Sequence, residues 1–130
     1  MEPTEEKLKA QIDQLGKALK TLEEVLALPK SAIIRDSVIK RFEYVYELCW
    51  KSMKTACEFK GVESATPRDA IRAAFQAGLI ADPQPWFEAI KARNEIVHAY
   101  KEDLANHVYE TARRLPPLVI DLVTALKKIL

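Results

Sequence analysis

The sequence predicts an all-α protein, an up-and-down four-helix bundle carrying one extra short helix. Apolar residues recur at alternating steps of three and four along nearly all of its 130 residues, which is the period of one helix face. No stretch alternates with period two for long enough to make a strand. The joints between periodic stretches are short and marked by Pro, Gly and Thr, so consecutive helices pack as antiparallel neighbours.

Leu8, Ile12, Leu15, Leu19, Leu22 and Leu26 form the first stripe. Thr4 is a candidate cap, Glu5 and Glu6 suit the positive end of the helix dipole, and Pro29 stops a helix running from about Thr4 to Leu28. The second pattern spans Ala32 to Lys60. Ile34, Val38, Phe42, Val45, Cys49, Met53 and Ala56 lie on one face, with Ile39, Tyr46 and Trp50 on a neighbouring one, so this helix is expected to lie centrally or to meet a second partner. Gly61 is its expected left-handed terminator. Thr66-Pro67-Arg68-Asp69 reads as cap, proline at the first helical position and capping-box acid. The short helix that follows turns Ala70, Ile71, Ala74 and Phe75 inward and closes at Gly78. Asp82-Pro83 repeats the cap-plus-proline signal and opens a fourth helix that carries Trp86, Phe87, Ile90 and Val97 toward the core. Beyond Lys101-Glu102-Asp103, Leu104, Val108, Ala112, Leu115, Val119, Leu122, Leu126 and Ile129 define the last helix. Pro116-Pro117 removes two backbone donors inside it, so a kink or restart is expected just before them.

A chain of this length can bury about two-thirds of its unfolded surface without disulfides or metals, and a single domain over 1–130 is expected. Hydrophobic residues at 48% and charged residues at 30% fit a folded protein and exclude a disordered or fibrous one. No run of about 18 apolar residues is present, so no membrane span is expected. The first residues are acidic where a secretory signal is basic and then apolar, which makes the cytoplasm the expected compartment. Cys49 and Cys57 fall on one helix roughly 12 Å apart, beyond disulfide reach, and read as small core residues. A net charge of +1 excludes a globally basic nucleic-acid binder and leaves room for a local basic groove.

Chemistry-bearing residues concentrate in Arg93-Asn94-Glu95-Ile96-Val97-His98-Ala99-Tyr100. On a regular helix Asn94 and His98 share a face, whereas Arg93 and His98 point about 140° apart. Bringing them together requires either that the helix unwind near His98 or that a second copy supply the complement across a two-fold axis. Such a cleft suits RNA cleavage without a metal: a histidine of near-neutral pKa accepts the ribose 2′-hydroxyl proton while arginine neutralises charge growing at phosphorus. No metal-ligand spacing or Gly-rich phosphate loop accompanies it, and no cofactor is expected. A plainer reading stands beside this one, in which His98 stabilises a helix C-terminus and Arg93 pairs with Glu95 or Glu88.

Arg93, Asn94 and His98 fill the pattern Arg-Asn-x-x-x-His, and Tyr100 follows His98 by two. The sequence thereby resembles the HEPN superfamily. Lys40-Arg41-Phe42-Glu43-Tyr44-Val45-Tyr46-Glu47-Leu48-Cys49-Trp50-Lys51 and the stretch from Thr66 to Ile80 are similar to one branch of it, the nucleotidyltransferase substrate-binding proteins. The resemblance covers most of the chain. It implies a HEPN-like bundle, a homodimer and a cognate minimal nucleotidyltransferase (MNT) partner. It further implies a toxin of a HEPN/MNT toxin–antitoxin pair, a metal-independent endoribonuclease whose composite site at the dimer interface acts on RNA. Arg93 and His98 are then catalytic, Asn94 orients them, and Tyr100 accepts AMP from the MNT antitoxin. The alternative implied by the same resemblance is a non-catalytic substrate-binding subunit of a nucleotidyltransferase complex.

Further residues belong to the expectation more loosely. Glu43 and Glu47, one turn apart, either orient Arg93 or His98 or form a solvated acidic strip. Trp50 and Tyr46 either stack on a base or, as aromatic residues at helical spacing usually do, serve packing. Lys51, Lys54, Arg68, Arg72, Lys91 and Lys101 form a phosphate-tracking groove if the second, third and fourth helices converge, and otherwise are solvated surface. His107 has no motif around it and is assigned no role.

Overall fold

A computed structural model describes residues 3–130, with side chains from residue 4 onward. Five α-helices and one 3-10 turn account for the architecture: α1 (Pro3–Leu26), α2 (Ala32–Phe59), α3 (Pro67–Gln76), α4 (Gln84–Glu95), the turn Ile96–His98, and α5 (Glu102–Lys127). No strand occurs among the described residues.

Helix α2 is the central element, packed against α1, α3 and α5 and touching α4, which explains its two apolar faces. Val38, Phe42, Val45, Cys49, Met53 and Ala56 are fully buried on one face, Ile39 and Tyr46 are buried on the other, and Trp50 is half-buried. The stripes of α1 and α5 close the same contiguous core, with Leu8, Leu15 and Leu22 from one and Val108, Ala112, Val119, Leu122 and Leu126 from the other. Trp86 of α4 and Ile71 of α3 complete it.

The helix boundaries follow from local chemistry. Ser31 Oγ accepts from the Ile34 N–H at 3.1 Å and starts α2. Gly61, at φ +85°, ends it with backbone bonds from Gly61 to Glu58 and from Val62 to Cys57. Thr66 caps α3 through the Asp69 N–H, and Gly78, at φ +78°, closes it. The Asp82 carboxylate accepts from the Gln84 N–H at 2.9 Å, so the capping of α4 comes from two residues before its first turn.

Four expectations need correction. Thr4 lies inside α1, which already includes Pro3, so it does not cap that helix. Phe75 is exposed rather than inward, because Ala70, Ile71 and Ala74 are the residues of α3 that are buried in the core. Val97 is 68% exposed: α4 is only 12 residues long, and the tighter 3-10 turn after Glu95 rotates Val97 off the inward stripe. Helix α5 runs unbroken through Pro116 and Pro117. The prolines leave the carbonyls of Ala112 and Arg113 without their usual donors, and burial of the α5 stripe holds the helix together regardless.

Candidate functional site

Arg93 stands in the last turn of α4 and faces a pair of acids on α2. Glu43 and Glu47, spaced four residues apart on one face of α2, both reach it: Arg93 Nε lies 3.3 Å from Glu47 Oε1 and 3.6 Å from Glu43 Oε2. The second oxygen of Glu47 accepts from Trp50 Nε1 at 2.9 Å. Glu47 therefore ties Arg93 of α4 to Trp50 of α2. Arg93 does not pair with Glu88 or Glu95, the neighbours that sequence proximity favoured.

Helix α4 ends at Glu95, and the three residues after it tighten into the 3-10 turn that carries His98. The winding of the chain therefore changes between Arg93 and His98, by tightening and not by unwinding. The two side chains open into adjoining surface concavities. Tyr46, Glu47 and Arg93 border one of about 330 Å³, Glu88, Lys91 and His98 border the other of about 670 Å³, and Arg68, Ile90 and Asn94 line both. Together they form one groove along the face where α3 meets α4. Asn94 and His98 are exposed, and the ring nitrogens of His98 have no hydrogen-bond partner among the described residues. Tyr100 is 80% exposed and presents its ring edge-on to His98, with centroids 6.3 Å apart.

His107, which carried no sequence signal, takes part in this architecture. Its Nδ1 lies 2.6 Å from Glu95 Oε2, joining α5 to the last residue of α4. A second clamp lies nearby, where Arg35 of α2 bonds Glu102 of α5 at 2.8 Å and Asp36 at 3.3 Å. Arg35 is held in its charged form chiefly by that hydrogen bond to Glu102. Together these pairs fix both ends of the Ile96–Lys101 segment on which His98 and Tyr100 ride.

Of the basic residues, Arg68 and Lys91 line the groove, and Arg72 stands over the Phe87 ring beside Arg68. Lys54 instead pairs with Glu58, while Lys51 and Lys101 are exposed away from the concavities. The Tyr46 ring is only 2% exposed and stacks on Phe42, so it serves packing and not base stacking. Burial pushes its hydroxyl up to about 12. Cys49 and Cys57 are free, buried thiols that burial likewise holds protonated. Among the described residues no three His, Cys, Asp or Glu side chains group as a metal site, and no helix is long and apolar enough to cross a membrane.

The family described as nucleotidyltransferase substrate binding protein like matches residues 10–128. The chain belongs to this family. The Haemophilus influenzae protein named probable ribonuclease HepT is 31% identical over 87 residues, a match spanning 60% of this chain and 60% of that one. A Thermus thermophilus protein of known crystal structure superposes with a TM-score of 0.75 at 34% identity, covering 88% of this chain and 98% of that one. A second solved structure, from Haemophilus influenzae, superposes with a TM-score of 0.78, covering 89% and 98%, at 24% identity, a level that speaks to the fold alone. It is described as revealing the fold of a substrate binding domain of a nucleotidyltransferase. The helical architecture is therefore that of the nucleotidyltransferase substrate-binding family, as the motif and the α2 and α3 stretches implied.

Proposed function

We propose that this family member is a metal-independent endoribonuclease, the toxin of a HEPN/MNT toxin–antitoxin pair, with a composite site formed where two copies meet. One observation supports the reading above all: Arg93 and His98 border two adjoining concavities that share Arg68, Ile90 and Asn94, so both face one groove with Asn94 between them. The name of the Haemophilus influenzae relative, a probable ribonuclease, supports the same reaction class.

The chemistry uses only side-chain groups. Neutral His98 accepts the ribose 2′-hydroxyl proton as the 2′-oxygen attacks phosphorus, and Arg93 stabilises the charge that develops on the phosphoryl oxygens. The 5′-oxygen leaves with a proton from the second copy's imidazolium. The products are a 2′,3′-cyclic phosphate and a 5′-hydroxyl. Glu43 and Glu47 fix the plane of the Arg93 guanidinium, and Asn94 lines the groove between Arg93 and His98.

Tyr100 supplies the off switch. Its exposed hydroxyl attacks the α-phosphate of ATP on the MNT partner, pyrophosphate leaves, and AMP is added edge-on to His98, where phosphate charge and nucleotide bulk exclude RNA. The alternative, a non-catalytic subunit that presents substrate to the nucleotidyltransferase, gains from the two carboxylates that partly neutralise Arg93.

Cleavage of a labelled RNA panel in excess EDTA, with wild type beside Arg93→Ala and His98→Ala, separates the two. Chelator-resistant cutting lost in both variants supports the nuclease. Intact RNA throughout rejects it in favour of the binding subunit. Incubation with the MNT partner and ATP, followed by intact mass measurement, should add AMP masses that vanish in Tyr100→Phe, and an unchanged mass removes the AMP-transfer step.

A further inference from the structure

Arg68 precedes the motif by a full helix and belongs to α3, yet it lines both halves of the groove. Its guanidinium carbon lies 4.6 Å from the centre of the Phe87 ring, and Arg72, one turn further along α3, lies 5.9 Å from the same ring. Phe87 is half-buried and anchored on α4, so it provides a fixed floor for a side chain that otherwise samples many rotamers.

The charge around this point is not compensated by the protein. Among the described residues, Arg68, Arg72 and Lys91 have no carboxylate within ion-pair distance. Of the acids that line the groove, Glu47 is engaged by Arg93 and Trp50, and Glu95 by His107. Glu88 alone remains without an ion pair there. Lining the groove there are thus two uncommitted cations, Arg68 and Lys91, beside one uncommitted acid, with Arg72 and Asp69 just outside it on α3, in a protein whose overall charge is only +1. A guanidinium lying on an aromatic ring keeps all five N–H donors at its rim, where they match the paired oxygens of a phosphate.

From this we infer that Arg68, seated on Phe87, is a phosphate-binding residue for single-stranded RNA, gripping the backbone beside the scissile linkage and holding it across Asn94 between Arg93 and His98. The inference rests on the ribonuclease reading and adds a subsite outside the Arg-x4-His motif. Phe87 acts as a positioning residue for Arg68. Arg72 and Lys91 extend the same track on either side.

The test is fluorescence anisotropy with a labelled single-stranded oligoribonucleotide over a salt series, using the full chain in a His98→Ala background so that bound RNA stays intact. Arg68→Ala is expected to lower affinity about tenfold and to reduce the slope of log affinity against log salt by about 0.7, one single-strand phosphate contact. Arg68→Lys should keep the slope and recover only part of the affinity, because the charge stays and the fork is lost. Phe87→Leu should weaken binding severalfold at unchanged slope. Wild-type affinity and slope in Arg68→Ala overturn the inference, and if the His98-intact protein still cleaves RNA, the nuclease reading survives without it. Unchanged RNA binding with lost capture of the nucleotidyltransferase assigns Arg68 to an acidic protein surface and likewise overturns it. Absence of both cleavage and RNA binding in the His98-intact protein overturns the nuclease reading and the subsite together.

Discussion

Replacing Glu47 by Gln changes almost nothing in shape and removes one charge from the two-carboxylate cradle of Arg93. Glu47 holds Arg93 Nε at 3.3 Å and Trp50 Nε1 at 2.9 Å, while Glu43 contributes a longer contact of 3.6 Å. The Arg93 and Glu47 side chains are each about one-third exposed, at 33% and 32%, so solvent screens the pair. Its contribution to stability is therefore about 1 kcal/mol at most, which corresponds to a melting shift of about 4 °C in a domain of this size. The effect on catalysis is larger than that on folding, because loss of alignment acts on the transition state directly. One misplaced donor costs on the order of a hundredfold when nothing else restrains it, and here Glu43 still restrains Arg93, so about a tenfold fall in kcat with little change in KM is expected. Initial cleavage rates and a thermal melt on the same preparation measure both quantities. Unchanged kcat refutes the idea that the cradle orients Arg93. A raised kcat refutes it differently, by showing that the carboxylates withhold Arg93 from the phosphate.

Alkaline pH should weaken the fold. Tyr46, Cys49 and Cys57 all keep their protons in the folded state at pH values where the unfolded chain has lost them, chiefly because burial disfavours their charged forms. Protons bound to the native state in excess make stability fall as pH rises, starting near the ordinary thiol value of 9.0 and continuing toward the Tyr46 value of about 12. Urea unfolding at pH 8 and pH 11 should show a loss of roughly 2 kcal/mol or more, and equal midpoints contradict it. Leu122→Ala, at a position with no exposure in α5, should cost about 3 kcal/mol in the same assay through the cavity it leaves, and a loss below about 1 kcal/mol shows that the core relaxes to fill the gap. His107→Ala removes the 2.6 Å contact to Glu95 from a half-exposed site and should lower stability by about 1 kcal/mol, with His107→Asn recovering part of it; identical melts for all three proteins exclude the clamp.

The sequence revealed those features that local chemistry decides. Thr66-Pro67 and Gly78 bracket α3 because a hydroxyl cap, a missing N–H and a left-handed glycine act within one turn of the chain, and Gly61 ends α2 for the same reason. The two-faced pattern of α2 announced its central position because burial on two sides leaves only a narrow polar face. Rotation along the short elements was less legible. Val97 fits an inward stripe only if the helix continues, and the turn at Ile96 breaks the 3.6-residue period that placed it, while Phe75 lies at the edge of the α3 stripe formed by Ala70, Ile71 and Ala74. Pro116 and Pro117 argue for a break on local grounds, and the buried stripe from Leu115 to Leu126 outweighs two missing hydrogen bonds. Arg93, Asn94 and His98 stood out as a motif, and the face shared by Glu43 and Glu47 could be read from their spacing. The Glu95–His107 pair was not visible, because its partners stand on different helices and lie in no shared pattern. The seat of Arg68 on Phe87 was equally hidden, since only the packing of α3 on α4 makes it.

A composite ribonuclease makes one demand that no single chain can satisfy. Co-refolding wild-type with His98→Ala protein yields mixed pairs that lack one of the two imidazoles the shared cleft needs, so chelator-resistant cleavage of RNA should fall with the square of the wild-type fraction. A fall in simple proportion to the wild-type fraction contradicts the composite site and confines the chemistry to one chain.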